Sequence, residues 1–165
     1  MPAVLVCLDG SVTVAGPSGT RVIPAGEMFR FHMTTTVAPD EIVTAARFPV
    51  LADGAGWAFE ELTRRHGDYA VAGIAAVVTL DGAGRCQTVR LAACGIAEKP
   101  MRLSAVEAAL AGSDLAEAAL KDAAGAVDAA VTNEDDGADG RYRRRVARAL
   151  VVRALARARD RAGTR

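Results

Sequence analysis

The sequence predicts an α+β fold, with strands in its first part and helices in its last. Two observations carry this. As far as Cys94, apolar residues come in short runs separated by turns rich in Gly, Pro and Asp; beyond Pro100 they recur at helical spacing. The first run after Pro100, Ser104-Ala-Val-Glu107, also has the Ser-x-x-Glu pattern of a helix start.

Taken in order, Val4–Leu8 is an apolar run read as a strand, closed by the Asp9-Gly10 turn. Ser11–Ala15 alternates as a strand, and Gly16-Pro17-Ser18-Gly19 turns the chain into a third strand over Thr20–Ile23. Pro39-Asp40 opens a turn into a strand over Ile42–Phe48, which stops before Pro49. The pattern restarts at Trp57, with strands expected near 57–64, 72–80 and 86–94, the last two joined by a hairpin turn at 81–84, Asp-Gly-Ala-Gly. Helices follow from Ser104, with Glu107 completing a capping box, and from Ser113 or Asp114. The acidic, Gly-rich stretch 133–140 reads as a loop, and 141–161 as a long final helix. Tyr142, Val146, Leu150 and Ala154, four apart, predict its buried stripe. Residues 1 to about 50 thus form a β-rich piece too short to hold a core alone. Residues 55–165 form a compact domain of three antiparallel strands packed on three helices.

Composition bounds the function. Of 165 residues 51% are hydrophobic but only 4% aromatic, so the core is built from small side chains that each bury little area. No apolar run approaches the roughly 18 residues of a membrane span, and the N-terminus lacks a signal peptide's basic region, which places the expected site of action in the cytoplasm. Cys7, Cys86 and Cys94 lack metal-ligand spacing and read as reduced, packed thiols. The formal charge is zero, yet residues 141–165 hold ten of the 20 basic residues and one acid, Asp160. With apolar residues between its arginines and one aromatic, Tyr142, that segment reads as a solvated helix face and not as a nucleic-acid binder. No catalytic triad, metal cluster or nucleotide loop is present: His32 and His66 are far apart, and Glu60 and Glu61 point to opposite faces of a strand. From the residues alone, this is an α+β domain without an autonomous active site.

Four blocks taken in order carry a resemblance: residues 8–29 (LDGSVTVAGPSGTRVIPAGEMF), 34–49 (TTTVAPDEIVTAARFP), 56–80 (GWAFEELTRRHGDYAVAGIAAVVTL) and 142–155 (YRRRVARALVVRAL). Together they resemble the FAD-binding medium subunits of molybdenum hydroxylases of the carbon monoxide dehydrogenase and xanthine dehydrogenase type. The resemblance implies that residues 1–50 are the C-terminal remnant of a PCMH-type FAD-binding domain and 55–165 a carbon monoxide dehydrogenase flavoprotein C-terminal-like domain. Family members carry glycine-rich loops of the AGGT and TxGGN kind, whose backbone N–H groups hold the FAD pyrophosphate. Neither motif occurs in these 165 residues, which identifies the chain as an expected C-terminal fragment, binding FAD weakly or not at all and inactive in isolation.

For site residues the resemblance implies Val37, just before the Ala-Pro-Asp-Glu-Ile block, and Phe59 and Glu60, where members often have an aromatic residue followed by Lys. Glu60 therefore reverses a charge that could stabilise reduced flavin, and Phe31 stands where many members have Gly. The function implied is an electron-transfer subunit. Electrons would pass from a molybdenum-cofactor large subunit through an iron–sulfur small subunit to FAD and on to an acceptor. The alternative is a non-catalytic assembly module that no longer binds FAD.

Overall fold

The computed structural model describes residues 1–133 and 139–163 of the chain. At its centre is a four-stranded antiparallel sheet in the order β6 (Gly56–Thr63), β7 (Ala70–Leu80), β8 (Cys86–Cys94) and β9 (Met101–Arg102). The three long strands stand where the patterning places them, and β9 adds a short edge strand that the patterning does not show. The 81–84 hairpin also forms: Asp81 Oδ1 accepts from the amides of Ala83 and Arg85, each at 2.9 Å.

One face of this sheet carries the helices. Ala72, Ile74, Ala76 and Val78 of β7 and Leu91 and Ala93 of β8 pack there against α3 (Ser104–Leu110), α4 (Glu117–Ala124), a 3-10 segment (Gly125–Ala130) and α5 (Gly140–Arg161). The alternate residues Ala75, Val77 and Ala92 face the other way and join a second core with the N-terminal part. Burial on both faces explains why β7 reads as an almost continuous apolar run. Strand β6 lies at the edge and alternates cleanly: Gly56, Ala58 and Glu60 are buried toward α5, whereas Trp57, Phe59 and Glu61 are exposed on the opposite face.

The N-terminal part supplies a three-stranded antiparallel sheet, β2 (Gly19–Pro24), β1 (Ser11–Gly16) and β5 (Ile42–Arg47), with β1 in the middle. A single turn of helix, α2 (Ala25–Met28), leads into the small β3–β4 hairpin (Phe29–Phe31 and Thr34–Thr35). This part shares its core with the large sheet. Val12, Val14, Ile23, Ala25 and Met28 are buried only as members of the core completed by Ala75, Val77 and Ala92 of the large sheet.

Four expectations are corrected. The run Val4–Leu8 is not a strand: residues Pro2–Cys7 form helix α1, which packs on β7, β8 and β9. Pro2 sits at a helix start, where its fixed φ and missing N–H cost nothing, and a short apolar run does not by itself separate helix from strand. The capping box does not form, because Ser104 lies inside α3 and Glu107 turns away to accept from the Leu91 amide at 2.6 Å and to bind Arg102. The second helix starts later, at Glu117; Ser113 Oγ and Asp114 Oδ1 instead accept from the amides of Leu115 and Ala116 in a turn.

The stripe of α5 is also rotated. Leu150 and Ala154 are buried as expected, but Tyr142 is 38% exposed and the seam runs through Arg143, Ala147, Val151, Leu155 and Ala158. Arg143 is buried because its guanidinium caps the ends of two strands, donating to the carbonyls of Val71 at 2.7 Å and Gly95 at 2.8 Å. The expected acidic loop falls largely on residues 134–138, outside the described residues.

Candidate functional site

Where the two parts meet, α1 leaves the outer strand of the large sheet uncovered. The result is an apolar cleft of about 230 Å³ between Val4, Cys7, Leu8 and Leu51 on one side and Trp57, Phe59 and Val77 on the other. Trp57 is 50% and Phe59 40% exposed, although both are large apolar rings. Exposed aromatic rings flanking an apolar cleft form the kind of surface that takes a flat, partly apolar ligand. Trp57 is fixed from behind by Arg161, whose guanidinium lies 4.7 Å from the ring centroid and donates to the Trp57 carbonyl at 2.7 Å.

Phe59 occupies the cleft-facing side of β6 opposite Ala75 of β7. The next position along that face pairs Glu61 with Gly73, and Gly73 leaves room for the Cys94 thiol. A Cβ added at Gly73 would come within 2.8 Å of Cys94 Sγ and 3.5 Å of Phe59 Cζ. Cys7 closes the floor. Its thiol donates weakly to the Ala75 and Arg90 carbonyls, and burial pushes its pKa up to about 11, so it is a packing group and not a nucleophile.

Val37 is half-buried against the core shared by the two parts but does not line the cleft. Its backbone is held from both sides. Glu41 accepts from the Ala38 amide at 2.7 Å and from Arg21 at 2.6 and 2.7 Å, and Arg21 also donates to the Thr36 carbonyl at 2.9 Å. The Arg21 guanidinium and the Ala38 amide hold the Glu41 carboxyl far below its usual range, at about 2. This gives the Ala-Pro-Asp-Glu-Ile block a physical role, clamping the turn that carries Val37.

Glu60 does not share a face with Phe59. It is 7% exposed and turned toward α5, with Arg157 at 2.6 Å and Arg153 at 3.4 Å. Its carboxylate is therefore a tie between β6 and the final helix, separated from the cleft by the sheet. Phe31, Met33, Ile42 and Val43 are further exposed apolar residues of the N-terminal part. Chain patterning does not mark Trp57, Arg21 or Glu41 as site residues. The first looks like ordinary strand sequence, and the other two meet across 20 residues. Residues 64–69, with their Arg-Arg-His-Gly-Asp run, are the exposed connection of the β6–β7 hairpin.

Comparison with known proteins finds two family matches along the chain. Residues 57–158 match the family described as the CO dehydrogenase flavoprotein C-terminal domain, and residues 1–51 the FAD binding domain in molybdopterin dehydrogenase. The chain is 37% identical to the 6-hydroxypseudooxynicotine dehydrogenase complex subunit alpha of Paenarthrobacter nicotinovorans, covering 98% of this chain and 55% of that protein. It is 34% identical to the carbon monoxide dehydrogenase medium chain of Afipia carboxidovorans, over 98% of this chain and 56% of that one. Among solved structures, it superposes with a TM-score of 0.93 at 34% identity on a chain of reconstituted CO dehydrogenase from Oligotropha carboxidovorans, covering 98% of this chain and 57% of that chain. The chain thus spans about half the length of the curated relatives it matches.

Proposed function

The chain belongs to the FAD-binding medium subunits of the molybdenum hydroxylases, and from that premise we propose that it provides the wall of the flavin site and the docking unit of an electron-transfer subunit. FAD, when bound, supplies the electron-accepting chemistry between the molybdenum and iron–sulfur subunits and an external acceptor. The observation that carries the reading is the position of the cleft. Val4, Leu8 and Leu51 come from the segment matched to an FAD-binding domain, Trp57 and Phe59 from the segment matched to the flavoprotein C-terminal domain. We read residues 1–50 as the end of the former domain and 55–165 as the latter. Cytoplasmic action follows from the same reading, and among the described residues no helix is long and apolar enough to cross a membrane.

The residues present fit the ring end of the cofactor and not its phosphate end. Phe59 and Trp57 offer flat apolar surface and exclude water from one side of a ring. The Arg21–Glu41 clamp holds Val37 beside the same core but outside the cleft that Trp57 and Phe59 flank. Glu60 supports Phe59 indirectly, by tying β6 to α5 through Arg157 and Arg153. The backbone cradle for a pyrophosphate has no counterpart in the sequence, which contains no AGGT or TxGGN loop. The second reading is an assembly module that docks on partner subunits and holds no FAD.

Flavin fluorescence titration separates the two readings. Ring contacts alone yield a few kcal/mol at roughly 25 cal/mol per Å², which the ordering of a dinucleotide largely offsets, so the chain alone should bind FAD at about millimolar strength. Joined behind the phosphate-binding half of a relative, it should give a yellow protein with micromolar affinity that Phe59→Ala weakens. A joined protein that stays colourless would remove the flavin wall from consideration.

A further inference from the structure

Helix α1 sits off-centre on the large sheet, where the weak Cys7 thiol contacts to β7 and β8 are joined by a charged network at the helix's C-terminal end. Position by position, the row Phe59–Ala75–Ala92–Arg102, on the face turned toward the N-terminal part, crosses all four strands. Phe59 stands at one end of the row, at the cleft, and Arg102 at the other. Between them α1 lies on Ala75, Val77 and Ala92, a shallow surface of small side chains. Apolar burial on such a surface is non-directional and leaves a short helix free to shift sideways. Burial alone would draw α1 toward β6, where Trp57 and Phe59 are still exposed.

What opposes this is directional. Arg102 is gripped by Glu107 through two contacts, Nε to Oε1 at 2.8 Å and Nη2 to Oε2 at 3.0 Å. Glu107 is itself anchored by the Leu91 amide at 2.6 Å, so the guanidinium has a fixed position on the sheet. Its remaining nitrogen, Nη1, donates to Asp9 at 2.6 Å, and Arg90 of β8 approaches the same carboxylate at 3.6 Å. Asp9 lies two residues past the end of α1 and holds a left-handed φ of 51°, within a turn closed by the Gly10 amide on the Leu5 carbonyl. Ion pairs with this forked geometry specify position more than they add stability.

We propose that the Asp9–Arg102–Glu107 network is a positioning device that pins α1 over β8 and β9 and so holds the cleft over β6 open. It rests on the flavin-wall reading for its use, but its mechanical content does not. The chain has a single tryptophan, Trp57, and it lines the cleft, so its fluorescence reports the opening directly.

The test is acrylamide quenching of Trp57 in the full chain, wild type against Asp9→Asn. Asn keeps the side-chain shape and accepts the left-handed backbone, so folding is preserved while the charge is lost. With the pin released, α1 moves onto β6 and covers a ring that is 50% exposed, so quenching should fall about twofold with little change in thermal midpoint. Arg102→Gln, which removes the same contact from the other side, should give the same fall. Unchanged or increased quenching in Asp9→Asn would overturn the proposal. A second arm measures FAD affinity of the same variant joined behind a relative's phosphate-binding half. A fall in Trp57 quenching with unaltered FAD affinity leaves the positioning device standing and refutes the flavin's placement in the cleft.

Discussion

Phe59 and Glu60 are adjacent in the chain, and the pleat of β6 sends them to opposite faces of the sheet, one to the cleft and one to α5. Their substitutions should therefore separate. Phe59→Ala should leave thermal stability nearly unchanged, since the ring is 40% exposed, and act on FAD affinity alone. Glu60→Lys, which restores the residue type the family resemblance leads one to expect, should destabilise by about 2–3 kcal/mol, because it sets a cation opposite Arg153 and Arg157 at a buried position. Urea denaturation measures both. At Glu41 the consequence is a pH dependence. Its carboxyl is lowered from 4.5 to about 2 by Arg21 and the Ala38 amide. A folded-state pKa below the unfolded one gives stability that is complete above 4.5 and lost as pH falls toward 2. The urea midpoint should drop across that window, and Glu41→Gln should make the drop shallower.

Among the elements, α5 does the most to hold the large sheet, and its fit depends on two unusual residues. At Gly56 the strand and helix backbones touch: an added Cβ would stand 1.8 Å from the Ala158 carbonyl oxygen. Backbone cannot move aside as a side chain can, so Gly56→Ala should cost about 3 kcal/mol and loosen β6 at the cleft. At the other end, Arg143 caps the carbonyls of Val71 and Gly95 from within the seam. Arg143→Met keeps the volume and strands both acceptors, for a predicted loss of about 3 kcal/mol in denaturant unfolding. The outward arginines behave differently. Arg148 pairs with Asp128 and Arg145 lies over Tyr142, so the basic face is engaged with its own fold. A gel shift with duplex DNA at about 150 mM salt, where exposed charges are largely screened, should accordingly show no retained complex.

At the level of the whole molecule, neither part is complete alone. The N-terminal part shares its core with Ala75, Val77 and Ala92 of the large sheet, whose second face α1 covers. The chain should therefore unfold in one step: Trp57 fluorescence and far-UV circular dichroism should give coincident urea transitions. Separate transitions would mean that the shared core is not cooperative. The same mutual burial creates the cleft, which exists only between the two parts.

Much of this was legible in the order of the residues. Short apolar runs bounded by turns marked β1, β2, β5 and the three long strands, the change of period at Pro100 marked the helical half, and the four ordered blocks pointed to the family. These are local signals or motif signals, and a chain carries them whatever its contacts. The identity of α1 was not of that kind, since a short apolar run obeys either period until a surface such as Ala75 and Ala92 selects one. Nor was the use of charged residues. Ser-x-x-Glu had the form of a capping box, yet Glu107 gained more from the Leu91 amide and Arg102, partners that only the sheet brings near. Arg143 looked solvent-facing because arginine usually is, and two strand ends needing a donor drew it inside. The sequence by itself determined the longer strands, the helical half after Pro100, their order and the family. The rotation of α5, the face on which Glu60 points and the cleft beside Phe59 were decided by tertiary structure, because each depends on which distant backbone groups and side chains come within a few ångströms.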